Sequence, residues 1–250
     1  GVIITDFAYH GVTETIAGMS PSLGSAMRLG DHVRKVPAPD AYRGNGQDVG
    51  AVFAQNVRSA IEDMRASGIK PAALLVDTIF SSDGIFTDPA GFLSGAVAAI
   101  REAGGVFIAD EVQPGFGRTG TAMWGFQRHG IVPDLVTMGK PMGNGHPMAG
   151  MAAHPEILAA FGRNLRYFNT FGGNPVSAAV GMAVLDVIEG EGLQDNARVV
   201  GEYLKAGLES LAQRHPLIGD IRCAGLFIGV ELVRDRASKE PAGDEAARVV

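Results

Sequence analysis

The chain has 250 residues, 46% of them hydrophobic and 19% charged, with a formal net charge of -6. That length suits one α/β domain, or a large domain with part of a second, and the composition is too apolar for a disordered chain. The acidic balance, with no basic run longer than Arg34-Lys35, excludes nucleic acid as an expected partner, and no apolar run approaches the roughly 20 residues of a membrane span.

Val2–Phe7 reads as a strand already under way, with neither an initiating Met nor the layout of a signal peptide, so the chain is expected to be part of a longer protein. Ala72–Ile79, Val106–Ala109 and Leu135–Met138 are further short apolar runs that suit buried parallel strands. Between them lie two helical patterns: Val49–Ser67, closed by Gly68 and Pro71, and Ala90–Ala103, closed by Gly104-Gly105. Strands alternating with helices predict an α/β fold, a three-layer sandwich around a mostly parallel sheet. From Asn174-Pro175 the pattern changes. Helices over Val176–Glu189 and Asp195–Gln213 have no strand between them, and the apolar segment Leu217–Val233 is broken by Gly219, Gly225 and Gly229 before the charged residues Arg234–Val250. The reading is a large domain over residues 1–190 and the start of a small α+β C-terminal domain over residues 191–250.

Composition adds two points. The single cysteine, Cys223, excludes an internal disulfide framework or a thiolate metal cluster, and it fits a reducing compartment, with the cytoplasm as the expectation. Glycine is the outlier at 35 residues, about twice its ordinary usage. It is densest between Gly104 and Gly150.

Within that stretch, Gly115-Phe116-Gly117-Arg118-Thr119-Gly120 matches a dinucleotide fingerprint and keeps a nicotinamide-binding oxidoreductase open as an alternative. Its context argues against it: Glu111–Pro114 separate the motif from its strand, and no acid closes a clear second strand about 20 residues on. Gly139-Lys140 is not a Walker motif, because Pro141 stands where Ser or Thr belongs. No nucleophile elbow and no histidine pair with metal-ligand spacing is present, so no metal is expected. What remains is Asp110-Glu111-Val112-Gln113 at the end of one strand and Lys140 in a Gly/Pro loop after the next. Parallel sheets bind ligands at this edge. Taken alone, Asp110 reads as a strand-end cap and Lys140 as a surface charge. Taken together they suit pyridoxal phosphate, which needs a lysine for its aldehyde and a carboxylate for its pyridine nitrogen. Tyr9 or Val112 could flank the ring, and Thr170 could meet the phosphate.

At this point the sequence resembles the class III (fold type I) pyridoxal-phosphate aminotransferases over essentially its whole length. The matching stretches are Tyr9-His10-Gly11, Asp110–Gln113 with Gly115–Gly120, Lys140 in its loop, and Asn169–Pro175. The resemblance implies an aminotransferase that moves an amino group from an amine or amino acid to a keto acid through a Schiff base on Lys140, which would also shuttle the Cα proton. It further implies that Asp110 pairs with the pyridine nitrogen, Val112 packs behind the ring, Gln113 reaches the 3′-oxygen, and Tyr9 stacks on the other face beside His10 and Gly11. Thr170 would bind the phosphate of the neighbouring subunit's cofactor, in a homodimer. Arg222 would bind a substrate carboxylate, with a salt bridge holding a turn as the equal alternative.

Two departures matter. Only eight residues precede Tyr9, where the family has a loop that cups the phosphate, so an inactive dimerising fragment is a further alternative. Asp77 and Ser82 stand where many members have glutamates. The segments Lys140–Pro147, Phe168–Pro175 and Leu217–Arg222 most resemble the branch holding ethanolamine-phosphate phospho-lyases, which makes a phospho-lyase acting on a phosphorylated amino alcohol or amino acid the close competitor.

Overall fold

The computed structural model describes residues 1–250. Six strands form the main sheet: β1 (Val2–Thr5), β2 (Val33–Val36), β3 (Ala73–Asp77), β4 (Val106–Asp110), β5 (Leu135–Met138) and β6 (Gly150–Ala153), in the order β2-β1-β3-β4-β5-β6. All neighbours are parallel except β5 and β6. A second sheet is antiparallel: β7 (Ile218–Ala224), β8 (Phe227–Asp235) and β9 (Glu240–Pro241). The helices are α1 (Glu14–Ala17), α2 (Val49–Ala66), α3 (Ser94–Glu102), α4 (Pro155–Asn164), α5 (Pro175–Gly190), α6 (Leu193–Ala212) and α7 (Gly243–Val249).

The central strands are buried on both faces, which is why they read as unbroken apolar runs. Ile3, Leu74, Val76, Phe107 and Ala109 point into the principal core, whereas Ile4 and Leu75 belong to a smaller cluster on the opposite face. On the principal side, α2 presents Phe53, Val57, Ala60, Ile61 and Met64 at helical spacing. Fully burying side chains as large as Phe53 or Met64 is worth about 1.5–3 kcal/mol each. Asp48 starts this helix by accepting a hydrogen bond from the Ala51 amide at 3.0 Å.

Among the elements that escape the sequence reading, three are β2, β6 and α4. β2 is an edge strand with Arg34 and Lys35 at its centre, and Arg34 leans out to pair with Asp63. β6 is a second edge built from Gly and Ala around an exposed Met151. α4 is short and buries none of its residues, its apolar Leu158 and Phe161 being exposed. The broken segment Leu217–Val233 folds as the β7–β8 hairpin: Gly225 takes the turn at φ 58° and Gly219 sits at a register shift.

The glycine motif has a packing explanation. A Cβ on Gly120 would lie 2.8 Å from backbone atoms of Arg198 in α6, and one on Gly201 would collide with the Gly225 carbonyl at 1.9 Å.

Gly120 and Gly130 both have positive φ, 76° and 64°, but nothing lies within 4 Å of the Cβ position of Gly130. Gly130→Ala is therefore expected to cost only the left-handed backbone penalty of about 1–2 kcal/mol, and Gly120→Ala clearly more. Urea unfolding of the two variants checks this, and equal losses would show that the α6 contact does not constrain Gly120.

Candidate active site

Parallel β1, β3, β4 and β5 bring the loops after their last residues to one edge of the sheet. The order in which strands are added reverses between β1 and β3, the kind of position at which open α/β sheets bind ligands. β4 ends on Asp110, which is in register with Asp77 on β3 and Thr137 on β5. Asp110 is 6% exposed. Its Oδ1 accepts from the Val112 amide at 3.1 Å, and its Oδ2 lies 2.7 Å from His10 Nδ1. His10 thus reaches past the end of β3 from the loop after β1.

Other groups fasten the turn that carries Tyr9, His10 and Gly11. The His10 amide donates to Ser20 Oγ at 2.9 Å, and Ser20 Oγ lies 3.1 Å from the Gly11 carbonyl and 2.9 Å from that of Ile16. Asp83, on the loop after β3, accepts from Thr5 Oγ1 at 2.6 Å and from the Phe7 amide at 2.9 Å. Tyr9, on the same turn, is 41% exposed.

Lys140 opens a 3-10 turn over Lys140–Gly143 and is exposed, with φ of 20°. Its neighbour Gly139 is buried, and a Cβ there would stand 3.5 Å from Val112 Cγ1, so the lysine turn is seated against the half-buried Val112. Val112 therefore links Asp110 and Lys140: its amide holds the first and its side chain backs the second. Gln113 follows, half-buried. Thr170 stands apart in an exposed loop before α5. That loop is tied to the lysine turn through His146 Nε2, 2.8 Å from Ser177 Oγ, and through Asn174, which caps α5.

Arg222 is committed to protein partners. Nε donates to the Gly84 and Ile85 carbonyls, Nη2 to Gly84 and to Glu231 Oε2 at 3.0 Å, and Nη1 to Asp220 Oδ2 at 2.9 Å, while the guanidinium stacks over Phe86 at 5.1 Å. The structure thus gives Arg222 the salt-bridge role, joining the second sheet to the loop after β3, and a substrate carboxylate would have to displace Glu231 or Asp220. Asp77 caps its own turn, accepting from the Ile79 and Ser81 amides at 3.0 Å each.

Sequence reasoning missed a buried network behind Asp110. Glu111 is 0% exposed and accepts from Thr78 Oγ1 at 2.8 Å, the Gly125 amide at 2.7 Å and the Phe126 amide at 2.9 Å. His129 Nε2 donates to the Thr78 carbonyl at 3.1 Å. Burial pushes Glu111 up to about 7, against the pull of its three donors, and pushes Asp77 up to about 6. Burial moves His129 the other way, down to about 4. The Asp-Glu pair was the one available signal, and residue types alone do not reveal its partners.

The donor set fits the ring of pyridoxal phosphate: a carboxylate at a strand end, an apolar side chain beside it, an amide, and a free amine on the turn whose Gly139 packs against the same valine. For the phosphate, this chain offers the Thr170 hydroxyl. A separate cavity of about 650 Å³, lined by Phe116, Pro141, His146, Val184 and Leu226 among others, lies behind the lysine turn and contains neither Asp110 nor Lys140.

The chain is similar to several known proteins. The family model for aminotransferase class-III matches residues 1–248. Among curated proteins, the chain is 42% identical over 260 residues to the Drosophila melanogaster alanine–glyoxylate aminotransferase 2-like protein, covering 100% of this chain and 53% of that protein. It is 37% identical over 257 residues to ethanolamine-phosphate phospho-lyase homolog 1 of Caenorhabditis elegans, covering 96% of this chain and 55% of that protein. Among solved structures, an Arthrobacter phospholyase in complex with phosphoethanolamine superposes with a TM-score of 0.89 at 42% identity, covering 97% of this chain and 58% of that one. A Bacillus anthracis aminotransferase gives 0.89 at 30% identity, covering 100% and 58%. The chain spans about half the length of the curated relatives it matches.

The buried acids set a pH dependence. Glu111 has a higher proton affinity folded than unfolded, so its contribution to stability is full below the ordinary carboxylate range and is lost as pH rises through about 7. His129 is neutral when folded, so its contribution is present above its ordinary value and is lost as pH falls toward about 4. Glu111→Gln places an N–H₂ among three donors and is expected to cost about 1–3 kcal/mol. The gap between the unmodified protein and this variant, read from denaturant midpoints, is expected to narrow as pH rises through the neutral range, and a constant gap would contradict the assignment.

Proposed function

This chain belongs to the class-III aminotransferase family, and on that footing we propose that it forms the cofactor-binding part of a pyridoxal-phosphate-dependent aminotransferase acting on a small amine or amino acid. Enzymes of this family depend on pyridoxal 5′-phosphate. The observation that carries the reading is the placement of Asp110, Val112 and Lys140 as one connected group at the carboxyl edge of the sheet.

When bound, the cofactor supplies an electron sink that makes the substrate Cα–H acidic. The protein's own residues then have separate tasks. Asp110 accepts from the ring nitrogen and holds the proton there. Val112 and Tyr9 offer apolar faces that exclude water from either side of the ring, and Gln113 offers an amide to its oxygen. Lys140 Nζ would hold the cofactor's aldehyde carbon and, as a base, would move the proton at the substrate Cα.

A second copy of the chain is part of the proposal. The loop carrying Thr170 leaves Phe168 82% and Phe171 78% exposed, an apolar display that single soluble chains rarely maintain. In a homodimer this loop would bring Thr170 to the neighbour's cofactor phosphate. A cytoplasmic location and a division of the chain near residue 190 belong to the same proposal.

The phospho-lyase reading is supported by the 42% identity to the Arthrobacter enzyme described with phosphoethanolamine. It shares the Cα deprotonation and differs afterwards, because a β-phosphate leaves and no keto acid is consumed.

Borohydride reduction of the protein loaded with pyridoxal phosphate, followed by peptide mapping, is expected to leave the cofactor on Lys140, and a different lysine would overturn the site. Lys140→Ala is expected to lower kcat by about 10⁴-fold or more. Phosphate release from phosphoethanolamine in the absence of a keto acid would decide for the lyase.

A further inference from the structure

The segment Asp77–Gly84 departs from the family pattern at Asp77 and Ser82, and the reaction described above gives none of it a task. Within it, Asp83 reaches across to the neighbouring strand. The ladder between β1 and β3 covers only Val2–Ala73 and Ile3–Leu74, whereas β1 stays paired with β2 as far as Thr5–Val36. Beyond Ile3 the link between β1 and β3 passes to a side chain. Asp83 Oδ2 accepts from the hydroxyl of Thr5, the last residue of β1, at 2.6 Å, and Oδ1 accepts from the Phe7 amide at 2.9 Å.

Both ends of this bridge are firmly mounted. The Phe80 carbonyl collects the amides of Asp83, Gly84 and Ile85 at 3.1, 3.1 and 2.9 Å. The Phe80 ring is buried in the principal core against Phe53 and Phe92. On the other side Thr5 is buried, and the Asp6 amide is held by the Val36 carbonyl of β2 at 3.1 Å. Tyr9 follows two residues after Phe7 and directly precedes His10, whose amide is held by Ser20. Asp83 is therefore the anchor on the N-terminal side of Tyr9, as Ser20 is on the C-terminal side.

Charge does not account for the choice of residue. No lysine or arginine pairs with Asp83, since the lysine of β2, Lys35, pairs with Asp6. Burial pushes the Asp83 carboxyl up, against the pull of its two donors and of His10. What the position requires is a pair of polar atoms at a set spacing. A hydroxyl both donates and accepts, so a carboxamide here would keep both contacts with the Thr5 hydroxyl turned round.

Resting on the cofactor reading above, we propose that Asp83 is a positioning residue: by tying the end of β1 to the loop after β3 it sets where Tyr9 meets the cofactor ring, through geometry and without need of its charge.

Hydrogen exchange read by NMR tests the bridge in the protein without cofactor. The Phe7 amide is expected to exchange slowly in the unmodified protein and in Asp83→Asn, and about tenfold faster or more in Asp83→Ala. Equal exchange in all three would overturn the proposal whatever binds at the site. Absorbance titration with pyridoxal phosphate tests the consequence. Asp83→Ala is expected to raise the dissociation constant about tenfold, and Asp83→Asn to stay within about twofold of the unmodified protein. An asparagine variant as weak as the alanine one would overturn the proposal by showing that the charge matters. In a Tyr9→Leu background the effect of Asp83→Ala is expected to vanish, because it acts through Tyr9, and additive losses would likewise overturn it. If Asp83→Ala does not fold, Thr5→Val removes one of the two bonds at similar shape and takes its place in the titrations. Failure of the unmodified protein to take up the cofactor at Lys140 would instead count against the proposed function, with the exchange of Phe7 still deciding the bridge.

Discussion

A carboxylate at the end of a buried strand must find its hydrogen bonds in the loops around it, and much of this protein is arranged by that requirement at Asp110. It is 6% exposed and is satisfied by the Val112 amide on one oxygen and by His10 on the other. Its neighbour Glu111 is fully buried and gathers Thr78 from the loop after β3 and two amides from the turn at Gly125-Phe126. Removing one partner from such a group leaves an unsatisfied acceptor, at about 1–3 kcal/mol for each lost bond. Two adjacent acids thereby hold the loops from three strands at the edge where Lys140 emerges.

The second sheet is attached in a different manner. Polar contacts hold it where an apolar core does not: Glu231 on β8 bridges Arg222 and Arg43, Arg222 spans to the Gly84 and Ile85 carbonyls, and its guanidinium lies over Phe86. Glycine makes the rest of the join. The α6 backbone approaches Gly120 and the hairpin turn at Gly225 approaches both Gly201 and Arg118, at distances that leave no room for a side chain. Part of the excess of glycine in the composition is therefore spent on close approaches between backbones.

How legible each part was depended on the range over which its cause acts. The central strands β1, β3, β4 and β5 announce themselves because burial on both faces demands consecutive apolar residues. The edges β2 and β6 do not, since a strand with one open side tolerates Arg34 and Lys35 or a run of Gly and Ala. At the site, Asp110, Val112 and Lys140 could be read from residue type at strand ends, and the contact of Gly139 with Val112 shows how they are joined. The partners of His10 and Arg222 could not, because they lie 100 and 138 positions away in sequence and only the sheet order brings them together. For Arg222 the guanidinium is paired with Asp220 and Glu231 as well as with the loop after β3. The dinucleotide-like glycine motif misleads for the same reason, since Gly117 and Gly120 answer to Gln194 and Arg198 of α6, 77 and 78 positions on.

The central claim is that Asp110, Val112 and Lys140 serve one flat ligand at the edge of the parallel sheet. A crystal structure of the protein grown with pyridoxal phosphate tests it most directly. The account predicts continuous density from Lys140 Nζ to the cofactor, Val112 against one face of the ring, and the ring nitrogen within hydrogen-bonding distance of Asp110. A cofactor lodged in the apolar cavity behind the lysine turn, or attached to another lysine, would contradict it.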